Sequence, residues 1–147
     1  MNLLVRNAPM PPVTEEQNQW FEELCDKVAQ LPPVEIKTEH HLHAGMYSRT
    51  IYVPAGAAVV GTLIKCPTQL IAHGHFQITD GGVTQEFNGF HVFDGNAGRR
   101  AAVVAFSDSA FTMVFPSNAK TVEEAESEFT DEPERLLSRN EKLAIGD

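Results

Sequence analysis

The sequence predicts a mainly β, all-β-class domain closed into a small sandwich or barrel, with a helix before it and a shorter helix after it. Three observations carry this. Short apolar or alternating runs recur at 34–38, 46–53, 57–64, 68–73, 75–80, 83–87, 90–93, 100–106 and 110–115, the spacing of strands that pair into a closed sheet. Turn formers separate them: Pro54-Ala55-Gly56, Asp80-Gly81-Gly82 and Asn96-Ala97-Gly98. The Asp-Gly-Gly step in particular favours the positive φ angles of a tight hairpin. Ahead of the runs, Trp20, Phe21, Leu24, Val28 and Leu31 recur at helical spacing, which predicts one amphipathic helix.

That helix has a start and a stop. Thr14 followed by Gln17 has the spacing of a capping box, and Pro32-Pro33 ends the pattern, since proline has no amide to donate. Residues 1–13 form a proline-rich arm carrying Leu3, Leu4, Val5 and Met10. Thr121 and Glu124 repeat the capping spacing and open a second helix running to about Phe129; residues 130–147 are charged, weakly periodic and expected to be a partly ordered tail. The division is an arm and helix at 1–33, a barrel at 34–116 and a helix and tail at 117–147, all in one globular domain.

Composition narrows the function classes. The chain has 147 residues, 42% of them apolar, enough for one packed core. A net charge of −9 argues against nucleic acid and anionic membrane surfaces, which both need a basic face. Cys25 and Cys66 stand in unrelated contexts and suggest neither a disulfide framework nor a zinc knuckle. Residues 1–11 do not read as a secretory signal, and no run approaches the length of a membrane span.

The segment from Gly45 to Phe115 resembles a cupin. The matching residues are Gly45-Met46-Tyr47-Ser48-Arg49-Thr50-Ile51-Tyr52-Val53-Pro54-Ala55-Gly56, Val60-Gly61, Gly74, Asp80-Gly81-Gly82, Gly89-Phe90-His91-Val92-Phe93 and Ala97-Gly98-Arg99-Arg100. The Tyr-x-Arg-x-Ile-x-x-Pro-x-Gly opening is similar to that of small cupin-like proteins of tailed bacteriophages. The resemblance implies a double-stranded jelly-roll barrel and, as locations, the host cytoplasm or a virion.

Cupin enzymes hold a divalent metal inside the barrel with His and Glu side chains. Here the resemblance places the ligand positions at Thr62, Ile64, Thr68 and Ala101, or at Phe106 for the last. None is a strong ligand. From Ala44 to Ala72, and again from Gly95 to Ser107, there is no His, Asp or Glu. The expectation is therefore no metal and no cofactor, with an apolar, packed interior around 62–68 and 101–106 that includes Phe106. A relocated metal centre would have to draw on His43, His75 and His91.

The remaining candidates are polar groups of a barrel pocket. Tyr47 and Arg49 share a strand face with Ile51 and Val53. An inward Arg needs an anionic partner, either a ligand or a structural carboxylate. Together with Thr62, Ile64, Thr68 and Phe106 they define the candidate pocket. Arg99 and Arg100 follow a turn and are expected to be solvated, or to meet an anion at the barrel mouth. Ser107, Asp108 and Ser109 read as a turn. Two function classes follow: a non-catalytic binding cupin, as a virion accessory protein or a small-anion-sequestering pocket, and a metal-dependent cupin enzyme of isomerase or dioxygenase type using the relocated histidines. The expected partners are a second copy of the chain in a dimer, with the arm crossing to its neighbour, and virion proteins or a small anion.

Overall fold

Period-two burial on one strand fixes the inside of the barrel. In the structure, a computed structural model in which residues 9–136 are described, strand Met46–Val53 buries Tyr47, Arg49, Ile51 and Val53 and turns the intervening side chains outward. In chain order the elements are α1 (Glu15–Val28), β1 (Lys37–His43), β2 (Met46–Val53), β3 (Ala58–Val60), β4 (Thr68–Asp80), β5 (Val83–Gly95), β6 (Ala101–Ala105), β7 (Ser109–Pro116) and α2 (Val122–Phe129), then a short 3₁₀ turn at Pro133–Arg135. All strand pairs are antiparallel, in the order β1-β2-β7-β4-β6-β3, with β5 on the other edge of β4. Among the described residues no helix is long and apolar enough to cross a membrane.

The sheet curls because β4 changes partner halfway. Gln69–His73 pair with β7 and Phe76–Asp80 pair with β6, while β5 follows β4 along its whole length. The predicted break at His73-Gly74-His75 is instead this corner, inside one continuous strand. Gly74 sits at φ 141°, and a Cβ there would overlap the Ser109 hydroxyl and lie 2.9 Å from the Ser109 Cα. Gly74→Ala should therefore cost about 1–3 kcal/mol, from forbidden backbone geometry and overpacking together. Ser109→Ala should not rescue it, because the backbone contact remains; a urea midpoint equal to wild type would show that β4 does not cross β7 this closely.

Other strand limits shift for local reasons. The runs at 83–87 and 90–93 fuse into β5 through Gly89 at φ 97°. The run at 57–64 keeps only Ala58–Val60 as strand, with Ile64 returning as a single bridge to Arg99. The run at 34–38 gives way to β1, which forms a hairpin with β2 around Ala44 and Gly45, both at positive φ. The Asp80–Val83 hairpin is as predicted.

Helix α1 begins with the predicted box: Thr14 Oγ1 accepts from the Gln17 amide and Gln17 Oε1 from the Thr14 amide, an arrangement typically worth about 1 kcal/mol. Its buried face is Phe21, Cys25 and Val28, packed on Val60 and Ala102. Trp20 and Leu31, expected on that face, are exposed. α2 is capped by Thr121, whose Oγ1 accepts from the Glu124 amide. The segment after it, within the expected partly ordered tail, is packed as far as Leu136, which is fully buried. There Arg135 bonds Glu22 of α1 and holds its carboxyl below the usual carboxylate range. Residues 137–147 lie outside the described residues, as do Leu3, Leu4 and Val5 of the arm. Met10 is buried on its own barrel, where its amide donates to the Asp94 carbonyl.

Candidate functional site

The core clusters leave a gap between the inner faces of β2, β4, β6 and β7. The result is a cavity of about 70 Å³ lined by Arg49, Ile51, Val59, Gly61, Thr62, Ile64, Leu70, Arg99, Ala101, Val103, Phe111 and Met113. The interior is thus not the fully packed apolar filling expected around 62–68 and 101–106: two guanidinium groups and a threonine hydroxyl line it.

The two arginines have opposite electrostatic situations. Arg49 Nη1 donates to Glu126 Oε2 at 3.0 Å and reaches Tyr47 Oη at 3.5 Å, and its guanidinium lies over the Phe129 ring. The inward arginine of β2 therefore has a structural carboxylate, delivered by α2. Tyr47 is buried between Phe115 and Phe129 and shares a 2.7 Å hydrogen bond with His40 Nδ1; it supports the pocket from behind and does not line it. Burial, and then the Arg49 charge, hold the His40 imidazole below its ordinary pKa.

Arg99 has no such partner. It is only 5% exposed, so the expectation of a solvated arginine is corrected. Its Nε and Nη2 both donate to Thr68 Oγ1, at 3.2 and 2.7 Å. No carboxylate of the described residues comes within 4 Å of it. Asp80 acts on it only at longer range. Burial lowers the Arg99 pKa and raises that of Asp80, as desolvation disfavours both charged forms. The side chain lies across Gly95, where a Cβ would overlap Arg99 Nε. Beside it in the cavity wall, Thr62 is 1% exposed and its Oγ1 has no hydrogen-bond partner among the described residues.

Arg100 is buried too, but on the other side of β6. It bonds the Gly61 carbonyl, Asn18 and Glu22, and its guanidinium covers the Phe21 ring, so it ties α1 to the barrel. Alternation explains the split: Arg99 shares the parity of the cavity residues Ala101 and Val103, whereas Arg100 shares that of Ala102 beneath α1. Thr68 holds Arg99 in place, and Ile64 lines the cavity. Phe106 lies outside: it is 45% exposed and packs on His75 across the outer face. It follows the last residue of β6, and its amide bonds the His75 carbonyl, which turns the ring away from the interior.

The relocated metal centre is not assembled. His75 pairs with Asn88 and His91 with Ala72, so the two imidazoles face opposite sides of the β4–β5 ladder, and His43 ends β1 at a hairpin tip. Among the described residues no three of His, Cys, Asp and Glu are grouped to hold a metal. The cavity itself does not fit a divalent cation, because its polar donors are guanidinium groups and one hydroxyl. Asp108 forms a turn, accepting from the Ala55 amide.

No family model matches the chain, and no curated protein sequence does. Solved structures do match. A cupin superfamily protein from Desulfitobacterium hafniense DCB-2 has a TM-score of 0.50 at 11% identity, over 60% of this chain and 84% of its own. Ectoine synthase from P. lautus has a TM-score of 0.50 at 14% identity, over 71% of this chain and 83% of its own. KdgF from Halomonas sp. gives 0.48 at 17% identity, over 58% and 82%. Identities this low speak to fold, and the fold is the cupin jelly-roll barrel.

Proposed function

We propose that this chain is a non-catalytic, phage-type cupin that works by binding, holding a small anion inside its barrel against Arg99. One observation carries the reading: a buried guanidinium lines a cavity with a single neutral hydroxyl as its hydrogen-bond partner. An unpaired buried charge costs several kcal/mol even after relaxation. A bound anion would offset that cost. The cavity wall supplies charge, a hydroxyl and apolar surface but no carboxylate or imidazole, which favours retention of a ligand over acid–base turnover. The Tyr47-x-Arg49 opening similar to that of small phage proteins supports a phage origin, and with it the sequestering role or a place in the virion.

The test uses the cost of an unpaired charge. In buffer containing only a large, excluded anion, Arg99→Met should be as stable as wild type or more stable by about 1 kcal/mol, because an apolar side chain of similar length replaces an unpaired charge. With a saturating small anion the order should reverse, the wild type gaining about 2–3 kcal/mol at a hundredfold excess over Kd while the variant gains nothing. A loss of several kcal/mol in Arg99→Met under both conditions would instead make Arg99 a structural clamp.

A further inference from the structure

The cavity says more about its occupant than the sign of its charge. We infer that it is built for a small monocarboxylate with a short apolar tail, bound end-on by Arg99 and hydrogen-bonded by Thr62. This rests on the pocket reading above and narrows it to one chemical class.

Consider first the head group. Thr68 Oγ1 occupies the Nε and Nη2 side of the Arg99 guanidinium. Among the described residues Nη1 has no protein partner, which leaves the terminal Nη1–Nη2 fork for a ligand. Two parallel N–H donors in a plane match the two oxygens of a carboxylate. Thr62 Oγ1, buried and unpartnered in the same wall, can donate one further hydrogen bond to an oxygen of the same group. Gly95 keeps this geometry open, since any Cβ there would collide with the guanidinium.

Most of the remaining lining is apolar: Ile51, Leu70, Val103, Phe111 and Met113, with Arg49 among them. Inorganic phosphate or sulfate would turn its extra oxygens onto this largely apolar lining, where the Arg49 charge is already matched by Glu126, at the desolvation cost of poorly paired polar groups. A methyl or ethyl tail gains by the same contact. Size sets the limit. A cavity of about 150 Å³ holds benzene, so about 70 Å³ admits a carboxylate with one to three carbons behind it. Arg49 completes the wall, but its charge is already matched by Glu126, so a single negative charge is the complement.

The experiment is titration of the full chain with propionate, propionamide and inorganic phosphate at constant ionic strength. It is followed by calorimetry and by the NMR methyl signals of Met113 and Thr62. Propionate should bind saturably and shift both methyls. Propionamide, the same shape without charge, should bind at least about a hundredfold more weakly, the usual loss when a buried charge is left unpaired. Thr62→Val, isosteric and free of the orphan hydroxyl, should fold at least as well as wild type and weaken propionate about tenfold. Arg99→Gln should abolish binding. Equal affinity for propionate and propionamide, or unchanged affinity in Thr62→Val, overturns the inference. Phosphate binding at these methyls without propionate binding also overturns it, while leaving the anion pocket standing; no binding by any probe overturns both.

Discussion

Replacing Glu126 by alanine should destabilise the protein by about 3–5 kcal/mol, the usual cost of leaving one member of a buried ion pair alone. Arg49 and Glu126 are 3% and 2% exposed and meet at 3.0 Å, so bulk solvent does not replace the carboxylate when it is removed. The loss is also mechanical. Glu126 sits in α2 between Ala125 and Phe129, whose side chains cover Tyr47, Phe115 and Leu136, and its bond to β2 is the polar anchor of that lid. Glu126→Gln keeps the shape and one hydrogen bond and should cost roughly half as much. The double variant Arg49→Met/Glu126→Leu should recover most of the stability, since a packed apolar pair often equals or exceeds a buried ion pair. Urea unfolding of wild type, Arg49→Met, Glu126→Leu and the double variant gives the coupling directly. A cost below about 1 kcal/mol for Glu126→Ala would mean the pair is hydrated and contributes like a surface bridge.

Much of this architecture is legible in the sequence because it follows local rules. The alternation of Tyr47, Arg49, Ile51 and Val53 announces an inward face, and the structure buries all four. Thr14-x-x-Gln17 and Asp80-Gly81-Gly82 name their cap and their turn. What sequence reasoning misses is set by distant chain. It reads Gly74 as a break because the local signal is an isolated glycine between histidines; the cause is Ser109, thirty-five residues on, crossing where β4 exchanges β7 for β6. It leaves residues 130–136 as tail because nothing local shows that Arg135 meets Glu22 and that Leu136 is covered.

The site shows the same division. The spacing of Arg49 predicts an inward charge that needs a carboxylate, but not which of twenty acidic residues supplies it. Arg99 and Arg100 look alike as neighbours after a turn. Counting back in twos from Ala101 and Ala102 would have separated them, one facing the barrel and one facing α1. Thr62 and Thr68 are placed by the resemblance where cupins carry metal ligands. The structure puts Thr68 on Arg99, where its hydroxyl serves a cation of the protein itself, and Thr62 in the cavity wall, where its hydroxyl has no partner among the described residues.

Phe76→Ala and Phe106→Ala should separate by at least about 2 kcal/mol, and the pair tests the inside-outside assignment of the whole β4–β6 region. Phe76 is fully buried, with ring contacts to Phe87 at 5.8 Å, to Phe111 at 4.9 Å and to His91 at 6.5 Å. Truncating it removes a large side chain from the centre of the main cluster and leaves a void framed by three strands that cannot collapse together, so the cost should be about 3–5 kcal/mol. Phe106 lies on the opposite face, 45% exposed, with His75 as its aromatic neighbour, and its truncation should cost less than about 1 kcal/mol. Both are phenylalanines near the same β4–β6 corner, so differences in denatured-state behaviour largely cancel. Equal losses of 3 kcal/mol or more, measured by urea midpoint at constant m, would put Phe106 inside the barrel, where cupin resemblance alone first places it. In that case Phe106 would fill the very cavity that Arg99 and Thr62 line, and the anion pocket would be lost with it.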